Sequence, residues 1–382
     1  MSGYKHLFAI ACLGMLLFGI ALISLGSILP EMVAKFQVDE LAAGTLATIL
    51  PSGLLISSLL FGPFADRFGF KGLLLLAAFL VMVGLEGIAF APSWWWVGVA
   101  TFLIGLGGGA LNGATNALMV DISEENSSAN VSLLGVFFGI GALGMPALIA
   151  ALSPTIILEY IIASIGVFVF LVMLYTSLVS FPPAKLETGI PFRQGVRMLK
   201  SPVMLLLSFI LFCQSGLEGL VNNWTTSYFQ EELKVTSGLA LLALTTFVAA
   251  MTVMRLILGG WLKRVHPYQV LILGIALTLV GAILLNLNLS FVWCLGALVL
   301  LGAGFAGVFP IILAHIGDLW ADLSGTALSV ALVIGVSGNI ATNYFTGLLS
   351  HHYGITVFPL LLGSIVVLLT LLLLRARRHF PP

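Results

Sequence analysis

The stretch Gly62-Pro63-Phe64-Ala65-Asp66-Arg67-Phe68-Gly69-Phe70-Lys71 decides the fold. Apolar runs lie on both sides of it, each long enough to cross a bilayer. One acid and two bases sit between them in a tight, glycine-punctuated turn. So short a connection makes the flanking helices antiparallel neighbours. Its charges belong at a membrane surface, because each would cost several kcal/mol at mid-bilayer. A shorter echo, Gly259-Gly260-Trp261-Leu262-Lys263-Arg264, follows much later in the chain and implies two related halves.

Composition agrees with a membrane-spanning chain. Of 382 residues, 60% are hydrophobic and 8% charged, with a mean hydropathy of +1.17. A soluble domain carries roughly 25% charged residues, which excludes a water-facing fold. Cys12, Cys213 and Cys294 all fall in apolar runs without disulfide or metal spacing, so they read as small buried residues. The apolar run that follows Lys5 and His6 is too long for a signal-peptide core and reads as a retained first helix.

Spanning helices need about 20 apolar residues. Twelve segments qualify, near 6–29, 41–62, 72–91, 95–119, 130–152, 155–181, 202–229, 238–260, 268–289, 291–316, 325–349 and 354–374. A β-barrel is excluded, since its strands are shorter and alternate in polarity. The expected organisation is a six-helix bundle over 1–181, a cytoplasmic linker over 182–201 (partly helical from Pro191 to Leu199) and a second six-helix bundle over 202–382. With the N-terminus inside, thirteen of the fifteen Lys and Arg residues fall on the cytoplasmic side, and only Lys35 and Lys234 outside. That bias places both termini in the cytoplasm of a multi-pass protein of the cell (inner) membrane. Gly105 to Gly109 in the fourth span matches Gly302 to Gly307 in the tenth, a second mark of duplication. These glycines lie mid-span and serve close helix approach, not phosphate binding.

The 62–71 stretch, the twelve spans and the central linker together resemble the major facilitator superfamily, along the whole chain. That resemblance implies two pseudo-symmetric bundles rocking about a mid-membrane site, with Asp66 and Arg67 helping to latch the cytoplasmic ends. A finer likeness is to the fucose–galactose–proton symporter group and its glucose-transporting relatives. It rests on Leu111-Asn112-Gly113-Ala114-Thr115-Asn116, Phe137 to Pro146, Gln214-Ser215-Gly216-Leu217-Glu218, Asn223-Trp224, and Arg255 with Gly259-Gly260. Two acids of that group are replaced here, one by Gly26 or Ser27 and one by Asn112. Those departures argue against proton coupling by that route.

Glu218 is the sharpest candidate for a substrate or coupling residue, because an ionisable group deep in a span is expensive and faces a cavity or a partner. Gln214, Glu218 and Asn222 share one helix face at i, i+4, i+8, and Trp224 continues it. Amides and carboxylates bind hydroxyls and a ring covers an apolar sugar face, so this stripe suits a sugar. Asn112 with Asn116, and Asn339 with Asn343, repeat the i, i+4 pattern on two other spans. Each pair alone could be interhelical glue; three together suggest a hydrated cavity. Asp121 and Asp318, ending the fourth and tenth spans, read as cytoplasmic gate charges with partners such as Arg67 or Arg264. Lys71 and Arg255 complete the gate set. His315 reads as a structural hydrogen-bonder, Glu86 as a residue near the outer end of the third span, and Trp94-Trp95-Trp96 as an aromatic belt.

These readings point to a secondary transporter working by alternating access, moving a monosaccharide or similar small polar solute, coupled to H+ or Na+ if Glu218 is a coupling site and uncoupled if the protein is a uniporter. An efflux pump for amphipathic drugs or lipids is the alternative, which the phenylalanine content would suit. A channel or non-transporting receptor is disfavoured by the duplicated halves. The chain is not read as an enzyme: it carries no Walker motif and no metal cluster. No cofactor and no nucleic acid are expected. The partners are a small-molecule substrate and the lipid bilayer, and a monomer is expected.

Overall fold

The computed structural model describes residues 2–38, 40–123, 126–287 and 290–380. In chain order the helices are α1 (Ser2–Phe36), α2 (Glu40–Phe68), α3 (Phe70–Ala89), α4 (Trp94–Ile122), α5 (Ser127–Leu152), α6 (Leu158–Leu178), α7 (Phe192–Met198), α8 (Pro202–Glu231), α9 (Ser237–Trp261), α10 (Pro267–Asn286), α11 (Phe291–Phe305), α12 (Val308–Leu319), α13 (Ser324–Tyr353) and α14 (Val357–Ala376). Among the described residues, twelve helical stretches are long and apolar enough to cross a membrane. All-helical spans are what hydrocarbon demands, since each backbone N–H and C=O must find its partner within the protein.

Two departures from the sequence reading matter. The stretch 62–71 is not a loop: α2 continues to Phe68, and the whole connection to α3 is Gly69. Gly69 takes φ 80°, a left-handed conformation that favours glycine. Its N–H donates to the Ala65 carbonyl at 2.8 Å and closes the helix end. The tenth span, expected as one helix over 291–316, is broken between Phe305 and Val308. Pro310 then falls in the first turn of α12, where a missing N–H costs nothing.

The chain divides into two compact units. The first comprises Met1–Glu124, Phe137–Gly195 and Trp320–Ser329. The second comprises Glu125–Val136, Val196–Leu319 and Val330–Pro382. Each unit therefore holds a short segment from the other half of the sequence. In the first, α4 is the central helix and α1, α2 and α3 pack on it, with α6 behind α3. In the second, α11 packs between α9 and α10, while α14 lies on α8 and α10.

The two units repeat one another residue for residue at two close helix contacts. A Cβ on Gly105 would meet the Leu50 carbonyl, and one on Gly302 would meet the Phe247 carbonyl. Gly107 faces the Ala77 carbonyl and Gly304 the Gly274 carbonyl. Both members of each contact shift by the same 197 residues, from 105 to 302 and 50 to 247, and from 107 to 304 and 77 to 274. Backbone pressed on backbone leaves no room for a side chain, so these glycines fix the approach of the helices.

Candidate functional site

Within the second unit a charged cluster sits deep in the spans. Gln214 and Glu218 share a face of α8, and the Gln214 amide Nε2 donates to Glu218 Oε1 at 2.9 Å. The same nitrogen also donates to the Phe305 carbonyl at 3.2 Å. That carbonyl is available because α11 ends at Phe305, leaving the last carbonyls of the helix without ladder partners. Gln214 is fully buried, and its Oε1 has no hydrogen-bond partner. Arg255 of α9 places Nη2 3.5 Å from Glu218 Oε1, with the arginine side chain 9% and the glutamate side chain 22% exposed. Gly135, two turns into α5, makes room for the arginine stem, where a Cβ would lie 2.6 Å from Cδ. Pairing removes the cost of a lone charge in a low-dielectric setting. Arg255, expected at the cytoplasmic gate, thus lies beside Glu218.

A second polar cluster in the same unit joins α8 to α13. Asn343 Oδ1 accepts from Asn223 Nδ2 at 2.9 Å and from the Trp224 indole at 3.0 Å. Asn343 Nδ2 donates to the Asn339 carbonyl and to Asn339 Oδ1, both at 2.9 Å. Asn339 Nδ2 reaches the Ser215 carbonyl at 3.2 Å. Gly219 faces the Asn339 amide directly and lets the two helices meet. The structure thus brings Trp224, Asn339 and Asn343 together. It adds Asn223, which lies off the Gln214–Glu218 face and so escapes a search by helical spacing. Asn222 lies half-buried outside this network.

Asn112 and Asn116 belong to the first unit. Asn116 Nδ2 donates to the Asn112 carbonyl at 2.8 Å and to Asn112 Oδ1 at 3.1 Å. They are 7% and 1% exposed, and these two bonds run along their own helix.

The residues expected at the gate divide between the units. In the first, Asp66 is 1% exposed and grips the start of α13. Its Oδ2 accepts from the Thr326 N–H at 2.8 Å and the Thr326 hydroxyl at 2.6 Å, and its Oδ1 from the Gly325 N–H at 3.2 Å. The first N–H groups of a helix have no ladder partners, so a carboxylate from another helix caps them and complements the dipole. Pro63 adds to this junction. Lacking an N–H, it leaves the Leu59 carbonyl free, and the Ser329 hydroxyl donates to it at 3.0 Å and to Ser58 at 2.5 Å. Arg67 donates to the Leu186 carbonyl at 3.1 Å, and Lys71 to the Ser177 carbonyl at 2.7 Å near the end of α6. Asp121 pairs with Lys185 at 2.9 Å, not with Arg67. In the second unit, Asp318 accepts from the Ser127 hydroxyl at 3.0 Å, and Arg264 is exposed.

His315 stacks on Phe380 with ring centroids 4.2 Å apart. Glu86 lies against Gly166 of α6. Trp95 and Trp96 are exposed, as a belt requires. Two apolar grooves lie within the units. One is bounded by α1, α5 and α6, occupies about 600 Å³ and is lined by residues such as Leu16, Ile140, Met145 and Phe168. The other is bounded by α9, α10, α11 and α12 and is lined by residues such as Met254 and Leu273. Neither is lined by the polar residues above.

The chain is similar to several known proteins along most of its length. It is 25% identical to Bypass of stop codon protein 6 of Saccharomyces cerevisiae, over 95% of this chain and 80% of that one. It is 24% identical to the glucose/mannose transporter GlcP of Bacillus subtilis, over 82% and 78% of the two chains. A shorter match, 24% identical over 54% of each chain, is to the multi-drug resistance efflux pump PmrA of Streptococcus pneumoniae. Among solved structures, the transporter FucP in its outward conformation superposes with a TM-score of 0.82 at 20% identity, over 100% of both chains. The proton:xylose symporter XylE gives 0.81 at 15% identity, over 100% of this chain and 96% of that one. At these identities the superpositions speak to the fold. The sequence itself matches the Major Facilitator Superfamily over residues 11–338 and again over 207–382. Twelve apolar spans among the described residues, a glycine framework repeated at 197 residues and that match place the chain in the Major Facilitator Superfamily, as a transporter and not an enzyme.

Proposed function

We propose that this transporter carries a monosaccharide or similar small polar solute by alternating access, with Glu218 as its coupling residue. The observation that supports this most is the Gln214–Glu218–Arg255 cluster. A carboxylate and a guanidinium held together deep in the spans make a site with no net charge, rich in donors and acceptors, which suits a neutral polyol. Gln214 Oε1 is an unused acceptor there. Asn222, Trp224, Asn339, Asn343, Asn112 and Asn116 complete the substrate set. The likeness to a glucose/mannose transporter supports the same class.

Glu218 would exchange partners between Arg255 and a coupling ion, H+ or Na+. Asp66, Arg67, Lys71, Asp121, Arg264 and Asp318 form the cytoplasmic gate, with both termini on that side of the cell membrane. Arg255 joins the Glu218 site to the gate, pairing with Glu218 through its guanidinium and with Ser132 through its carbonyl. The sequence halves 1–181 and 202–382 are the moving bundles, 182–201 is their tether, and the protein acts as a monomer.

Glu218→Gln keeps the size and the Gln214 contact but removes the charge. Sugar uptake into proteoliposomes under an imposed ion gradient is expected to fall about tenfold or more, as expected for a lost charge-assisted contact. Wild-type uptake in the variant would sink the assignment of Glu218. The second reading, efflux of amphipathic drugs or lipids, draws on the PmrA likeness and on the apolar groove of about 600 Å³ between α1, α5 and α6. A thermal-shift screen of sugars and of amphipathic cations on purified protein separates the two, since a ligand raises the melting temperature only by binding the folded state.

A further inference from the structure

The linker between the two sequence halves enters the first unit's junction in a way its sequence does not announce. Lys185 lies outside every helix, yet its Nζ has three acceptors. They are Asp121 at 2.9 Å, the Ala321 carbonyl at 2.7 Å and the Ser324 hydroxyl at 2.6 Å. An ammonium has three N–H donors, so all are used. Ser324 in turn donates to Asp121 at 2.6 Å, which closes a ring of lysine, serine and aspartate. The next residue is held from both sides. The Leu186 N–H donates to the Asp66 carbonyl at 3.0 Å, and its carbonyl accepts from Arg67 at 3.1 Å. Two consecutive linker residues thus touch the end of α2, the end of α4 and the start of α13. The side-chain exposures of Lys185 and Asp121 are 22% and 16%, so the pair is only partly screened by water.

We propose that Lys185 is a positioning residue of the transport cycle: a removable peg that holds the 320–329 segment on the first unit and must withdraw before that segment can leave. The tether then sets how readily the junction opens, in addition to joining the halves. This rests on reading Asp66 and Asp121 as gate residues only in linking the release to transport. The holding itself is measurable without any substrate.

The test uses the full chain in detergent. Ala327 lies in the held segment and is 0% exposed. The native cysteines Cys12, Cys213 and Cys294 are all buried, so an Ala327→Cys reporter has a quiet background toward a water-soluble maleimide. Adding Lys185→Met is expected to speed labelling about tenfold, which corresponds to about 1.4 kcal/mol. Adding Asp121→Asn to that variant should bring little further increase, because the two residues act as one ring. Amide exchange at Gly325 and Thr326 in the reporter-free protein gives the same comparison if the reporter perturbs folding. Labelling and exchange unchanged by Lys185→Met overturn the proposal. So does full additivity of the two substitutions. Unchanged labelling with lost sugar uptake would leave the substrate reading standing and remove the peg.

Discussion

The two junctions at the ends of α2 and α9 occupy equivalent places and are built differently. Shifted by the same 197 residues, Ser329 on the Ser58 carbonyl becomes Ser132 on the Arg255 carbonyl, the latter at 3.0 Å. Ser324 on Asp121 becomes Ser127 on Asp318. Gly62 and Gly259 also correspond, but Gly62 lies under Gly325 and Gly259 under Leu133, which is not the equivalent of Gly325. The serines and the helix-end acids repeat. What does not repeat is the cap: Asp66 corresponds to Lys263, which is exposed. A cation at a helix N-terminus is unfavourable, so the start of α5 takes no such grip from α9. One junction therefore carries a buried carboxylate and backbone packed on backbone. Its counterpart is a serine contact padded by a leucine. Duplication supplied the frame and the serine contacts, and the buried carboxylate cap was placed on one side only.

The comparison breaks most readily at the cap. Asp66→Ala leaves the Gly325 and Thr326 N–H groups and the Thr326 hydroxyl without their acceptor. It should cost about 3 kcal/mol in the stability of the first unit. Lys263→Ala should change it by less than about 0.5 kcal/mol. Thermal melts of the two variants side by side give the contrast. Equal shifts would mean that Asp66 contributes no more than an exposed residue.

A smaller contrast is expected at the glycines. A Cβ on Gly62 would run into the Gly325 carbonyl, which is backbone, whereas one on Gly259 meets the movable end of Leu133. Gly62→Ala should therefore cost about 2 kcal/mol by overpacking, and Gly259→Ala under about 1 kcal/mol. Equilibrium unfolding of both proteins would show whether the order holds.

The serines give the finest test. Ser329→Ala strips the donor from a carbonyl that Pro63 has already left without a helix partner, at an expected cost of about 1–2 kcal/mol. Ser132→Ala leaves an Arg255 carbonyl still served by its own helix and should cost about 0.5 kcal/mol. Amide exchange in α13 and α5 respectively should rise in that order.

The spans were legible because apolar length is a property of composition alone. Helix ends were less so. The charges of Asp66 and Arg67 end the apolar run of the second span at residue 62. Helical hydrogen bonding does not stop where hydrocarbon stops, and α2 runs on to Phe68. Gly302 to Gly307 is legible as a packing motif, but the break that exposes the Phe305 carbonyl to Gln214 depends on what α8 presents from 91 residues away. In sequence Arg255 stands with the gate charges. Its turn of α9 instead directs the guanidinium toward Glu218. Lys185 and Asp121 are 64 residues apart with no periodicity between them, and a coil residue leaves no trace of the partner it will find.

The one-residue connection at Gly69 also makes the α2–α3 pair a gauge of chain length. A helix turns about 100° per residue, so a single insertion there would swing every side chain of α3 off its seat on α4. Gly189 has the same left-handed backbone, at φ 75°, but open space around it. A reporter domain or epitope spliced into this transporter belongs beside Gly189, where added length is slack, and not at Gly69, where it is rotation.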